Sequence, residues 1–145
     1  MKVVLQRIAR GAVRVRGEPV ATCGPGLLLL AGVGAGDDGS EVPKLARKIH
    51  RLRIFEDGDG KMNLALADVG GEVLVVPNFT LYGDTRKGRR PSWVEAAAPE
   101  VAAEHVEALC ASLEELGATV HRGAFREHME VELVNDGPVT LVLEG

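Results

Sequence analysis

The chain has 145 residues, 46% hydrophobic, 26% charged and only 3% aromatic, a size and mix that suits one domain around a core of Val, Leu, Ala and Ile. No apolar run approaches the roughly 20 residues of a membrane span. Gln6, Arg7 and Arg10 interrupt any signal-like start, so a cytoplasmic protein is expected. A formal net charge of −4 argues against a protein that grips long stretches of nucleic-acid backbone, while leaving room for a small basic site.

Lys2 to Ile8 and Ala12 to Arg16 alternate as strands, and Glu18 to Cys23 adds a third. Glycines at 11, 17, 24 and 26 punctuate them as in a meander. Leu27 to Val33 is an unbroken apolar strand, the pattern of burial on both faces. Gly34 to Gly39 is a loop. Ser40 is the expected N-cap of a helix running to about Arg53, with Pro43 in its first turn, where a missing N–H costs little. Val42, Leu45, Ala46, Ile49 and Leu52 share one face at helical spacing. Lys44, Arg47, Lys48 and Arg51 line the other, either a solvated face or an RNA-backbone contact.

Arg53 to Phe55 reads as a short strand and Asp57-Gly58-Asp59-Gly60 as a tight turn. Glu72 to Thr80 is a strong strand. Pro99 starts a second helix to about Leu116, stopped by Gly117, with Ala102, Val106, Leu109 and Leu113 on its apolar face. Strands at Ala118 to His121, Met129 to Val134 and Val139 to Leu143 complete an order of roughly ββββ-α-ββ-α-βββ. The expected fold is one α/β domain over residues 1–145: a curved, mostly antiparallel or mixed, barrel-like sheet with two main helices.

Several familiar chemistries fail. Gly32 to Gly36 lacks the spacing and the βαβ setting of a dinucleotide loop. The turn from Asp57 lacks the sixth-position glycine and the terminal Glu of a calcium loop. The four histidines form no HxxxH pair and have no evident Cys partner. Cys23 and Cys110 have no metal-like spacing and read as buried thiols. No nucleophile elbow exists. No metal and no cofactor is expected.

Two segments carry information. In "VVPNFTLYGDTRKGRRPSW", Val75 to Trp93, a buried strand runs into Asn78-Phe79-Thr80-Leu81 and then into a basic loop of Arg86, Lys87, Arg89 and Arg90. The end of a buried strand is a rigid platform whose last N–H groups can face a ligand. Thr80 is either part of such a site or an ordinary β-former. The loop has the character of a phosphate-binding feature. In "NDGPVTLVLEG", Asn135 to Gly145, a Gly-Pro pair stands at the mouth of a strand, where proline cannot donate to a ladder.

Together these segments, with "VVLQRI" at Val3 to Ile8 and the strand at Met129, resemble the D-aminoacyl-tRNA deacylases over essentially the whole chain. The resemblance implies hydrolysis of the ester between a D-amino acid and the tRNA terminal ribose by a homodimer. It implies a cis Gly137-Pro138 bond reaching into the partner's pocket, where Gly137, Pro138, Val139 and Thr140 exclude L side chains and glycyl-tRNA passes. It assigns Arg7 to bracing that prong, Asn78 and Met129 to the substrate site, and the backbone N–H groups of Phe79 and Thr80 to the oxyanion. The substrate's 2′-hydroxyl helps activate water. The tRNA acceptor end is the implied partner, with Arg86, Lys87, Arg89, Arg90, Lys44 and Lys48 as candidate contacts. The first motif departs from the family's usual Ser-Gln-x-Thr-Leu by carrying Pro77 and Asn78. A sister editing activity on L-aminoacyl tRNA and a non-catalytic tRNA-end module stay open as alternatives.

Overall fold

The computed structural model describes Met1–Gly145 throughout. Its strands are β1 (Lys2–Val15), β2 (Glu18–Cys23), β3 (Gly26–Gly32), β4 (Phe55–Glu56), β5 (Met62–Leu64), β6 (Glu72–Pro77), β7 (Thr119–Arg122) and β8 (Glu130–Glu144). The helices are α1 (Val42–Arg51) and α2 (Pro99–Glu115), with short 3₁₀ turns at Leu66–Val69 and Phe79–Tyr82. The main sheet runs β2-β1-β3-β6-β7, with β8 on the other edge of β1. β1 is antiparallel to β2, β3 and β8, while β3, β6 and β7 are mutually parallel, so the sheet is mixed. β4 and β5 form a separate small ribbon.

β1 sets the curvature. Its first half pairs with β3 and its second half with β2, so the strand leaves one neighbour for another midway. The two expected strands on either side of Ala9 are therefore one. Register shifts in the β1–β8 ladder mark the bend between Gln6 and Arg10, as bulges do when a strand must curl. At Gly11 an added Cβ would stand 3.2 Å from Ile8 Cδ1 and 3.3 Å from Leu74 Cδ2, so the fold-over is close enough to favour glycine.

The curl creates two apolar layers. Val3, Leu5, Leu27, Leu29, Val73 and Val75 face Leu45 and Ile49 of α1 and Leu109 and Leu113 of α2. Ile8, Val13, Cys23, Leu28, Leu74 and Val76 fill the inside of the curl. Both faces of β3 and β6 are thus covered, which explains their unbroken apolar runs. β7 is tied to α2 by Arg122, whose guanidinium reaches Glu107 at 2.8 and 3.0 Å and Glu114 at 2.8 and 3.1 Å.

Ser40 does not cap α1. The N-cap position belongs to Glu41, with no side-chain cap bond. The Ser40 N–H instead meets the Asp38 carboxylate at 2.9 Å, and Glu41 turns its carboxylate to the Met1 ammonium at 3.3 Å. That ammonium, on a residue whose side chain is buried, also meets Asp37 at 2.6 Å. No helix is long and apolar enough to cross a membrane.

Candidate active site

β6 ends at Pro77, short of the expected Thr80. The Asn78 N–H still donates to the Ala31 carbonyl at 2.8 Å, one rung beyond the β3–β6 ladder. The chain then tightens into the 3₁₀ turn at Phe79–Tyr82. Gly32 permits this: a Cβ there would lie 2.8 Å from the Asn78 carbonyl oxygen and 3.1 Å from Leu81 Cβ. The leading N–H groups of a helical turn have no partner inside it. Those of Phe79 and Thr80 hold that position, and neither donates to a backbone carbonyl elsewhere.

Beside this turn opens a cavity of 660 Å³ at the C-terminal ends of β3 and β6. Ala31, Pro77, Ala97 and Ala102 keep it wide because their side chains are small, while Trp93, Phe125 and Met129 give it apolar walls. Arg126 and Glu127 supply its charged lining. Phe79 and Trp93 meet edge to face at 5.3 Å between centroids, and both remain substantially exposed at the mouth.

Thr80 has no base. Its hydroxyl donates to the Asn78 side-chain carbonyl at 2.5 Å, and it makes no bond to His, Asp or Glu. The thiols are no better placed as nucleophiles. Burial pushes Cys23 up to about 12, with Glu72 adding to it. Burial likewise pushes Cys110 up to about 11. The cavity is bordered by Asn78 and Phe79 of this turn, while Thr80 is not among its lining residues.

Gly137-Pro138 stands apart from this cavity. β8 is one continuous strand by its pairing, but its ladder with β1 is interrupted. Gln6 pairs with Thr140 and Ile8 with Asn135, so Asp136–Val139 must arch out opposite Arg7 alone. The Gly137-Pro138 bond is cis, as the resemblance implies. Three clamps hold the arch. Arg7, only 6% exposed, donates from Nε to the Asp136 carbonyl at 2.7 Å and from Nη1 to the Ile54 carbonyl at 2.7 Å. The Asn135 amide donates to the carbonyls of Arg7 and Val139 at 2.9 and 3.0 Å. Gln6 Nε2 donates to the Thr140 hydroxyl at 3.1 Å. Val139 is buried in the main core, while Asp136, Gly137 and Pro138 are exposed.

Asn78, Phe79 and Met129 therefore line one cavity, and Arg7 and Gly137 to Thr140 line none of it. The basic loop is pinched at its base by paired backbone bonds between Asp84 and Ser92 at 2.8 and 2.9 Å. Arg86 folds back on Asp84 through two side-chain bonds of 2.9 and 2.8 Å, and this pairing pulls the Asp84 carboxyl down to about 2. Lys87, Arg89 and Arg90 stay exposed without an ion-pair partner. Lys44 and Lys48 lie elsewhere, in a shallow basic groove with Arg47, Arg51 and Arg53. Sequence reasoning missed Trp93, Phe125 and the Asn135 clamp. Trp93 closes the quoted basic segment, which was the available signal; Phe125 had none. The His105 Nδ1 is buried without a hydrogen-bond partner.

A sequence profile described as D-Tyr-tRNA(Tyr) deacylase matches residues 4–144. A Heliobacterium modesticaldum protein named D-aminoacyl-tRNA deacylase is 55% identical over 145 residues, covering 100% of this chain and 97% of that one. A Carboxydothermus hydrogenoformans protein of the same name is 55% identical over 144 residues, covering 99% of each. Among solved structures, one described as c-Myc DNA Unwinding Element Binding Protein matches with a TM-score of 0.93 at 35% identity, covering 100% of this chain and 99% of that one. Another, from a structural analysis of a probable eukaryotic D-amino acid tRNA deacylase, matches with a TM-score of 0.81 at 18% identity, covering 98% and 97%, and bears on the fold alone.

Proposed function

Because the chain belongs to the D-Tyr-tRNA(Tyr) deacylase family, a family of ester hydrolases, we propose that it edits aminoacyl-tRNA by gauging the handedness of the acyl group with an arch lent by a second copy of itself. The activity is D-aminoacyl-tRNA deacylation, releasing amino acid and tRNA. The acyl group and terminal ribose occupy the cavity beside Phe79. Water adds to the ester carbonyl, the Phe79 and Thr80 N–H groups hold the developing oxyanion, and the ribose 3′-oxygen leaves with a proton. The substrate's own 2′-hydroxyl assists the water. A Thr80 with no base beside it supports this division of labour over a threonine nucleophile.

Selection works by exclusion. The Gly137 and Pro138 carbonyls accept hydrogen bonds from the substrate ammonium. A D side chain then points to solvent, whereas an L side chain is driven into the arch. A clamped wall rejects more strongly than a lost contact favours. Glycyl-tRNA, with no side chain, passes. Lys87, Arg89 and Arg90 contact the acceptor-end phosphates, and the reaction takes place in the cytoplasm.

The observation that carries the reading is the clamped arch that lines none of its own chain's cavity. In a two-fold dimer such an arch serves the partner, and each site is built twice. Subunit complementation tests this. One variant lacks Gly137 and Pro138; the other, Ala96→Trp, fills the cavity. Each is inactive alone. After subunit exchange, about a quarter of wild-type deacylation returns, because half the dimers are mixed and each mixed dimer has one intact site. No recovery means that each arch serves its own cavity.

A further inference from the structure

β2, β7 and β8 are the free edges of the curled sheet, and β2 and β7 do not pair with each other. The curl nevertheless brings β2 against β6 and β7. At this seam three side chains converge from three strands: Cys23 closing β2, Glu72 opening β6 and His121 in β7. Their ligand atoms all lie within 4.8 Å of one another. No sequence spacing announces the cluster, since only the curl joins its members. The expectation that no histidine has a cysteine partner is corrected here.

The local bonding suits a cation. Glu72 Oε1 is 3.2 Å from His121 Nε2, and Glu72 Oε2 accepts the Gly24 N–H at 2.6 Å. The carboxylate is thus oriented by a backbone donor behind it, as metal-binding carboxylates are. The Cys23 sulfur is buried and directs its proton to the Gly24 carbonyl at 3.3 Å, away from His121. That geometry does not make a Cys-His nucleophile. His121 and Glu72 are 31% and 34% exposed, which leaves a path for an ion and a water.

We propose that Cys23, Glu72 and His121 bind one zinc ion, with solvent in the fourth position, and that the ion staples the open seam of the sheet. Sulfur, imidazole and carboxylate together select zinc over magnesium or calcium, which take oxygen ligands. With zinc–ligand bonds of about 2.0–2.3 Å, neighbouring ligand atoms sit about 3.3–3.8 Å apart, so an inward movement of about 1 Å closes the site. Binding replaces the thiol proton of Cys23, which is released to solvent. Glu72 and Pro77 lie at opposite ends of β6, about 16 Å apart along the strand, so the ion is remote from the cavity and structural.

The test uses the whole protein, stripped with a chelator and titrated with zinc against a chromophoric competitor. One equivalent binds per chain, and cobalt in its place gives a thiolate-to-metal absorption band. His121→Ala and Cys23→Ser each weaken binding by more than about tenfold, while Cys110→Ser binds as wild type. His121→Ala changes a partly exposed position, so it keeps the test decisive where Cys23→Ser fails to fold. Zinc raises the thermal midpoint of wild type but not of His121→Ala, and stripped protein keeps its deacylase activity. Absence of stoichiometric binding, a cobalt spectrum without the sulfur band, or wild-type affinity in His121→Ala overturns the site. Loss of activity on stripping overturns the structural role.

Discussion

Arg7 Nη1 and Ile54 O lie 2.7 Å apart, and the same guanidinium donates from Nε to the Asp136 carbonyl at 2.7 Å. One buried charge therefore ties the exposed arch to the chain beyond α1. Arg7→Lys keeps the charge but not the fork that spans both carbonyls. It is expected to leave one buried carbonyl unpaired, at about 1–3 kcal/mol, and to relax discrimination between D and L substrates. Urea unfolding measures the first effect and paired deacylation assays the second. Gly137→Ala acts on the same element, because its Cβ would stand 2.5 Å from Asn135 Oδ1 and displace the clamp. Undiminished selectivity in both variants contradicts the bracing role.

The proposed oxyanion role falls on backbone N–H groups, so ordinary side-chain substitutions miss it. Proline is tolerated at the first position of a helical turn, where its missing N–H has no intrahelical partner. Phe79→Pro is thus expected to keep the turn and delete one donor. Compared with Phe79→Ala, which removes the ring alone, it should lower the single-turnover rate by about 10²–10³-fold. Thr80→Ser and Thr80→Val should both stay near wild type. Activity abolished by Val and kept by Ser would instead indicate a threonine nucleophile.

The salt dependence of tRNA binding should be shallow, reflecting few phosphate contacts. Lys87→Ala, Arg89→Ala and Arg90→Ala are each expected to reduce the slope of log K against log salt by about 0.7–0.9. Arg86→Ala should change it less, because Arg86 is already engaged by Asp84. A filter-binding series at several ionic strengths checks both.

Acid should destabilise the fold through named carboxylates. Burial alone raises the Asp37 carboxyl, but the Met1 ammonium, the Gly34 amide and Tyr82 outweigh it and hold Asp37 below its usual range. The Gly24 amide, and then His121, do the same for Glu72. A carboxyl lowered on folding contributes stability that is complete above its unfolded pKa of about 4 and lost as pH falls through its folded value. Stability should therefore hold from pH 7 to about 5 and decline below about 4. Asp37→Asn is expected to cost about 2 kcal/mol at pH 7 and to flatten the decline. Urea midpoints at pH 7, 5 and 3 test this, and an unchanged acid slope in Asp37→Asn contradicts it.

Local patterning disclosed the layers of the fold. Leu27 to Val33 and the apolar faces of both helices lie where their periodicities put them, because burial on one or two faces writes itself into neighbouring residues. Junctions were less legible. Ala9 and Arg10 are exposed and Gly11 follows, so one bent strand looked like two. Thr80 is a good β-former, yet its backbone belongs to a 3₁₀ turn, where tertiary closeness to Gly32 outweighs propensity. The Asn78–Phe79–Thr80 segment was readable as a strand end facing a site, but Phe125 reaches the cavity, and Asn135 reaches Arg7, only through tertiary folding.

The central claim is that the clamped arch reads handedness. Its most direct test is single-turnover deacylation of one tRNA charged with the D form, and separately the L form, of one amino acid. The account predicts cleavage of the D ester at least about 100-fold faster than the L ester. Equal rates for the two would contradict it.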